Sequence, residues 1–168
     1  MKKAVFVFMV IFPLVINAQN NGYVYKPKPS EFISSAELGI DNICLIIEDS
    51  RVIHPKSKVK CSFEDISNSI VKSLNNAFTK TNFSSQKSNV IIELTIRQYE
   101  SFVRGVVWIG ILKYDVKLIN GDSIKEEVIE GTSSRGNIGG TATAKNVSQN
   151  GFNDAINKTV KYLIDNLK

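Results

Sequence analysis

The chain is poor in the residues that most often carry chemistry, with one histidine and two cysteines among 168 residues. His54 stands alone before Pro55 in a polar connection, and neither Cys44 nor Cys61 has a nucleophile pattern around it. A zinc site needs several clustered nitrogen or sulfur ligands, so one imidazole and two dispersed thiols exclude that chemistry. The carboxylates offer no substitute. Glu48-Asp49, Glu64-Asp65 and Glu126-Glu127 are adjacent pairs. Neighbours on a strand point to opposite faces, so none is a local acid–base dyad. They read instead as a strand end, a helix first turn and a solvated hairpin. We therefore expect no catalytic residue, metal or cofactor, with a small hydrolase using Cys61 or His54 as the weaker alternative.

Strong charge imbalance is also missing. Lys and Arg total 21 against 16 Asp and Glu, a formal charge of +5. Lys2 and Lys3 supply two of those positive charges and head an apolar run, Ala4 to Ile16, broken only by Pro13. That run is too short to stay in a bilayer as a spanning helix, and Asn17-Ala18-Gln19 places a small residue at a cleavage point. Residues 1–18 therefore read as a secretory signal peptide. The remaining charge of +3 is ordinary for a soluble protein, and export argues against nucleic acid as a partner. Neither cysteine follows the signal directly, so no lipid anchor is expected, and the protein is predicted to be soluble in the periplasm or outside the cell. In that compartment a Cys44–Cys61 disulfide is one reading and two free thiols the other, with Cys44 a small core residue.

Residues 19–39 read as an irregular arm, marked by Lys26-Pro27-Lys28-Pro29-Ser30. Residues 40–168 make one domain. Ile43 to Glu48 is an apolar first strand. Between Ser62 and Lys80, Phe63, Ile66, Ile70, Leu74, Ala77 and Phe78 share one helical face, with Ser62 as N-cap. Asn82 to Asn89 is a polar loop. Val90 to Ile96 alternates as a second strand, Tyr99 to Arg104 leads towards a turn, and a long third strand follows. On that strand Val106, Trp108, Leu112, Tyr114, Val116 and Leu118 share a face. Asn120-Gly121-Asp122 is a hairpin turn of two or three residues before a fourth strand, Ser123 to Thr132. Gly131 to Gly151, with few large apolar residues, reads as a loop before a final helix from Gln149 to Leu167. The fold class is α+β: a four-stranded, largely antiparallel sheet with two amphipathic helices on one face, in the order β-α-β-β-β-α.

Val107, Ile109 and Ile111 lie opposite the Trp108 face and are apolar too, before Lys113, Asp115 and Lys117 continue the same side. Two helices cover one face only, so this patch is covered either by the arm or by another molecule. Three smaller motifs have simple structural readings. Arg135-Gly136-Asn137-Ile138-Gly139-Gly140 lacks the lysine and hydroxyl of a phosphate-binding loop, and reads as a mobile loop before a helix. Lys56, Lys58 and Lys60 alternate, as lysines that protect a sheet edge do, or as a contact for lipid headgroups or acidic glycan would. Asp122-Ser123-Ile124 matches a short O-glycosylation pattern of exported bacterial proteins at a position the turn already explains.

The signal is followed in order by the strand ending Glu48-Asp49-Ser50-Arg51, the Ile66–Phe78 helix and the Asn120-Gly121 hairpin. With a final helix ending Tyr162-Leu163-Ile164-Asp165-Asn166-Leu167, this resembles the YajG-like family of uncharacterised bacterial envelope lipoproteins over Asp41 to Lys168. The resemblance implies an envelope location and transfers no catalytic residue, and the family's lipid-acceptor cysteine has no counterpart here. The sequence thus predicts a non-enzymatic exported envelope protein that binds or assembles through a sheet face or loops. Its expected partner is an envelope protein or a second copy of itself. Binding of a lipid, another apolar ligand or a glycan is the alternative.

Overall fold

Three long strands form the frame, two of them marked by apolar side chains at every second position from Val90 to Ile96 and from Leu112 to Leu118. The computed structural model of the chain describes residues 23–32, 35–136 and 140–168. The signal segment 1–18 therefore lies outside the described residues. The elements run β1 (Tyr23–Val24), β2 (Asn42–Asp49), β3 (Val59–Lys60), α1 (Phe63–Ala77), β4 (Asn82–Ser84), β5 (Val90–Arg104), β6 (Val107–Asn120), β7 (Ser123–Gly136) and α2 (Gly140–Leu167). The main sheet has the order β4-β2-β5-β6-β7, and β1 and β3 form a separate parallel pair. β2 is parallel to both neighbours, while β5, β6 and β7 are antiparallel.

The α+β class with two helices and a mostly antiparallel sheet is as the patterning predicted, but the expected four strands become five plus a pair. The added strand β4 lies in the polar stretch read as a loop. One apolar residue explains it: Phe83 is buried against the Phe78 ring, with centroids 5.5 Å apart. Asn75 of α1 accepts from the Phe83 amide at 2.9 Å and donates to its carbonyl at 3.3 Å. A side-chain clamp thus does what local propensity does not.

Tyr99 to Arg104 does not turn away but continues β5. The register shifts between Ile96 and Gln98, so Arg97 is an extra residue in the ladder. Before it Ile92, Leu94 and Ile96 point inward; after it Tyr99 takes the inward position opposite Leu112. The bulge switches parity, which is why alternation fades in the sequence there. Val106, assigned to the Trp108 face, instead sits in the tight turn between β5 and β6, where Gly105 has φ +62°. At the other end Asn120 pairs with Ser123, so the β6–β7 turn uses two residues, with Gly121 at φ +57°.

Among its described residues, the stretch from Gly131 to Gly151 is strand and helix and not the expected loop. β7 extends to Gly136, and α2 already begins at Gly140, before the expected Gln149. α2 packs closely on the sheet through its backbone, Val147 and Ser148 against Gly110, and Gly151 and Ala155 against Gly131. The contact buries backbone against backbone, so no run of large apolar residues announces it.

The arm also has a definite place. Ser69 donates to the Pro27 carbonyl at 2.6 Å, Ser73 accepts the Ser30 amide at 2.8 Å, and Gln149 bonds both the amide and the carbonyl of Lys28. Residues 25–30 therefore strap the outer side of α1 and α2. Serines on the otherwise apolar stripe of α1 are satisfied by that strap.

Candidate functional site

The two helices cover the inward face of the sheet, built from Leu45, Leu94, Leu112, Tyr114 and Ile129 among others. The opposite face carries the predicted patch. Val107, Ile109 and Ile111 are half-buried there, in register with Arg104, Phe102 and Glu100 of β5. The arm does not cross them, since it lies on the helices. Instead the loop after β2 leans on this corner, with the His54 ring 6.4 Å from that of Phe102.

Further along the same face the apolar residues give way to cross-strand ion pairs. Lys117 meets Glu93 at 3.1 Å, Arg97 meets Asp115 at 2.6 Å, and Lys113 reaches Glu130 at 3.5 Å. Glu93, Arg97, Asp115 and Lys117, with Val128, line an open groove of about 730 Å³. Half-exposed pairs of this kind contribute little stability but set a charge pattern that an incoming surface must match.

Glu100 is a residue that strand periodicity did not single out. It is 5 % exposed beside Ile111. One carboxylate oxygen accepts from Gln98, and the other has no partner among the described residues. An under-satisfied buried carboxylate is costly, and donors from a bound molecule would relieve it. The only sequence signal was an acidic residue inside an otherwise apolar strand end.

A second cavity of about 390 Å³ opens beside the end of β2, lined by Val24, Ile53, Val59, Cys61 and Tyr99. Arg51 forms its polar wall: Nε and Nη2 each lie 2.7 Å from the Asp49 carboxylate, and Nη1 donates to the Cys61 carbonyl at 3.2 Å. The guanidinium therefore holds the Asp49 carboxyl below its ordinary range. Tyr99 is 6 % exposed, and its hydroxyl has no partner among the described residues.

Burial, with Asp65 nearby, pushes the Cys61 thiol up to about 12. It is protonated at neutral pH and a poor nucleophile. Reaction with iodoacetamide is expected to stay slow until the pH approaches that value or the protein unfolds; fast labelling of the native protein near neutrality would refute this. Both cysteines are free thiols. Cys61 is tied to Arg51, whereas Cys44 lies seven positions earlier on the extended strand, so the fold holds them apart. His54 and Cys61 are not brought together either: the imidazole Nδ1 accepts the Lys56 amide at 3.1 Å. Among the described residues no three His, Cys, Asp or Glu converge as metal ligands.

No family model and no curated protein matches the sequence. Solved structures do share the fold. The fold resembles that of protein XCC0632 from Xanthomonas campestris. That protein, of the DUF330 family, superimposes with a TM-score of 0.66 at 12 % identity, over 86 % of this chain and 95 % of its own. The hypothetical protein CT253 from Chlamydia trachomatis follows at 0.50 and 10 %, over 76 % and 99 %. An uncharacterized protein superimposes at 0.56 and 10 %, over 85 % and 99 %. Identity this low establishes a shared fold and no shared activity. Among the described residues no helix is long and apolar enough to cross a membrane.

Proposed function

We propose that the chain is a non-enzymatic, exported envelope protein that holds another envelope component, or a second copy of itself, on the uncovered face of its sheet. The observation that carries this reading is the face itself. An apolar band at Val107, Ile109 and Ile111 adjoins the unsatisfied Glu100 and the ion-pair ladder around Asp115 and Lys117. Apolar centre with patterned polar surround is the anatomy of an interaction surface. The signal-like segment 1–18 supports export to the periplasm or beyond, and the YajG-like order of elements supports the envelope. The isolated His54 and the protonated Cys61 weigh against hydrolysis.

A photocrosslinking side chain in place of Val128, on the groove, is expected to give one discrete adduct in cells, and one in place of the exposed Lys72 on α1 none. Equal or absent crosslinking would overturn the reading. A second reading, an apolar or lipidic ligand, is favoured by the cavity at Tyr99. A bound small apolar molecule in the native mass spectrum, with no adduct from Val128, would put it first.

A further inference from the structure

We infer that the β5–β6 hairpin end of the molecule docks on an anionic membrane surface. Among the described residues nine large apolar side chains are exposed, and six of them gather at this end. Val52, Ile53, Val106 and Val24 are 85 %, 71 %, 77 % and 76 % exposed, with Val103 and Tyr23 beside them. Backbone contacts bring these separate segments together. The Lys58 amide donates to the Ser101 carbonyl at 2.7 Å, and the Tyr23 amide to the Lys58 carbonyl at 2.8 Å. Val24 and Ile53 edge the cavity beside Tyr99, whereas Val52, Val103 and Val106 lie outside its lining at turns and a strand end, so the cluster as a whole suits shallow insertion better than the capture of a peptide.

Their surroundings are cationic. Lys56, Lys60, Arg104 and Arg135 are exposed at this end, and none has an ion-pair partner among the described residues. Of the nearby acids Asp49 is held by Arg51, Asp65 by Lys26, and Glu100 is enclosed, while Glu48 and Glu64 are exposed, so the four cations outnumber the free carboxylates. Exposed aliphatics inside a rim of unpaired cations complement anionic headgroups over an acyl boundary. The inference goes beyond the partner proposed for the sheet face: the two surfaces adjoin where Arg104 pairs with Val107, and vesicle binding is read separately from the Val128 adduct.

The test is co-sedimentation with vesicles of phosphatidylcholine, with or without phosphatidylglycerol. It uses the chain starting at Gln19, which contains every described element of the fold. Binding is expected to be more than about tenfold stronger with the anionic lipid, and to fall as salt screens it. Ile53→Asp with Val106→Asp, and separately Arg104→Glu with Arg135→Glu, should each reduce it by more than about tenfold. Ile124→Asp, exposed at the opposite end, should not. All five named positions are exposed, so unfolding temperatures should be unchanged, and the arginine pair keeps the test open if the aspartate pair unfolds. Equal binding to both vesicle types, equal loss with Ile124→Asp, or an end-to-end dimer that dissolves with Ile53→Asp and Val106→Asp while vesicles go unbound would each overturn the inference.

Discussion

Gly131→Ala is expected to lower stability by about 3 kcal/mol, although it adds a single methyl group. The added Cβ would stand 2.2 Å from the Ala155 amide nitrogen and 2.2 Å from the Gly151 carbonyl oxygen. Both are backbone atoms of α2, so no rotamer change can relieve the clash, and the helix itself must lift off β7. Gly110→Ala acts the same way, meeting the Val147 carbonyl oxygen at 2.2 Å. Gly136→Ala is the control, because nothing lies within 4 Å of its Cβ position. Its effect should stay within about 1 kcal/mol. Urea midpoints of the three variants check this, and similar shifts for Gly131→Ala and Gly136→Ala would mean that α2 is not seated on the sheet as described.

Phe152→Ala is expected to cost about 4 kcal/mol, the upper part of the range for deleting a buried aromatic ring. Phe152 is fully buried one residue after Gly151, and its ring meets that of Tyr99 edge-on with centroids 6.4 Å apart. The close glycine contacts bring the α2 backbone down to the sheet, and Phe152 fills the wedge that opens beside them towards β5. Removing it leaves a cavity that the rigid glycine contacts prevent from collapsing, so relaxation recovers little. Equilibrium unfolding measures the loss. A cost below about 1.5 kcal/mol would show that α2 moves freely enough to close the gap.

These two sites also mark how much of the fold was legible. Phe152, Ile156, Val160, Leu163 and Leu167 announce the C-terminal half of α2 by their spacing. The N-terminal half uses alanine, serine and glycine, whose side chains carry little hydrophobic signal, and their meaning depends on Gly110 and Gly131 in distant strands. The Arg97 bulge hid the second half of β5 in a similar way, by reversing which parity faces the core. Of the candidate site, the Val107–Ile109–Ile111 patch was readable because apolar residues on both parities of a strand have no other simple cause. Tyr99 and Glu100 were not, since burial without a hydrogen-bond partner is a property of the surroundings.

By itself the sequence determined the α+β class, the α1 face, the Ser62 cap and the β6–β7 turn, each set by interactions within a few residues. Its scarcity of histidine and cysteine also set the limits on chemistry. Only the tertiary structure decided that the arm straps the helices and leaves the second face open. It also added β4 and the β1–β3 pair to the expected strands, and gathered Val24, Ile53 and Val106 at one end. Those outcomes depend on hydrogen bonds and close contacts between segments far apart in the chain, such as Pro27 with Ser69 or Gly131 with Ala155. A local pattern encodes which face of an element is apolar; which neighbour meets that face is settled only when the chain closes on itself.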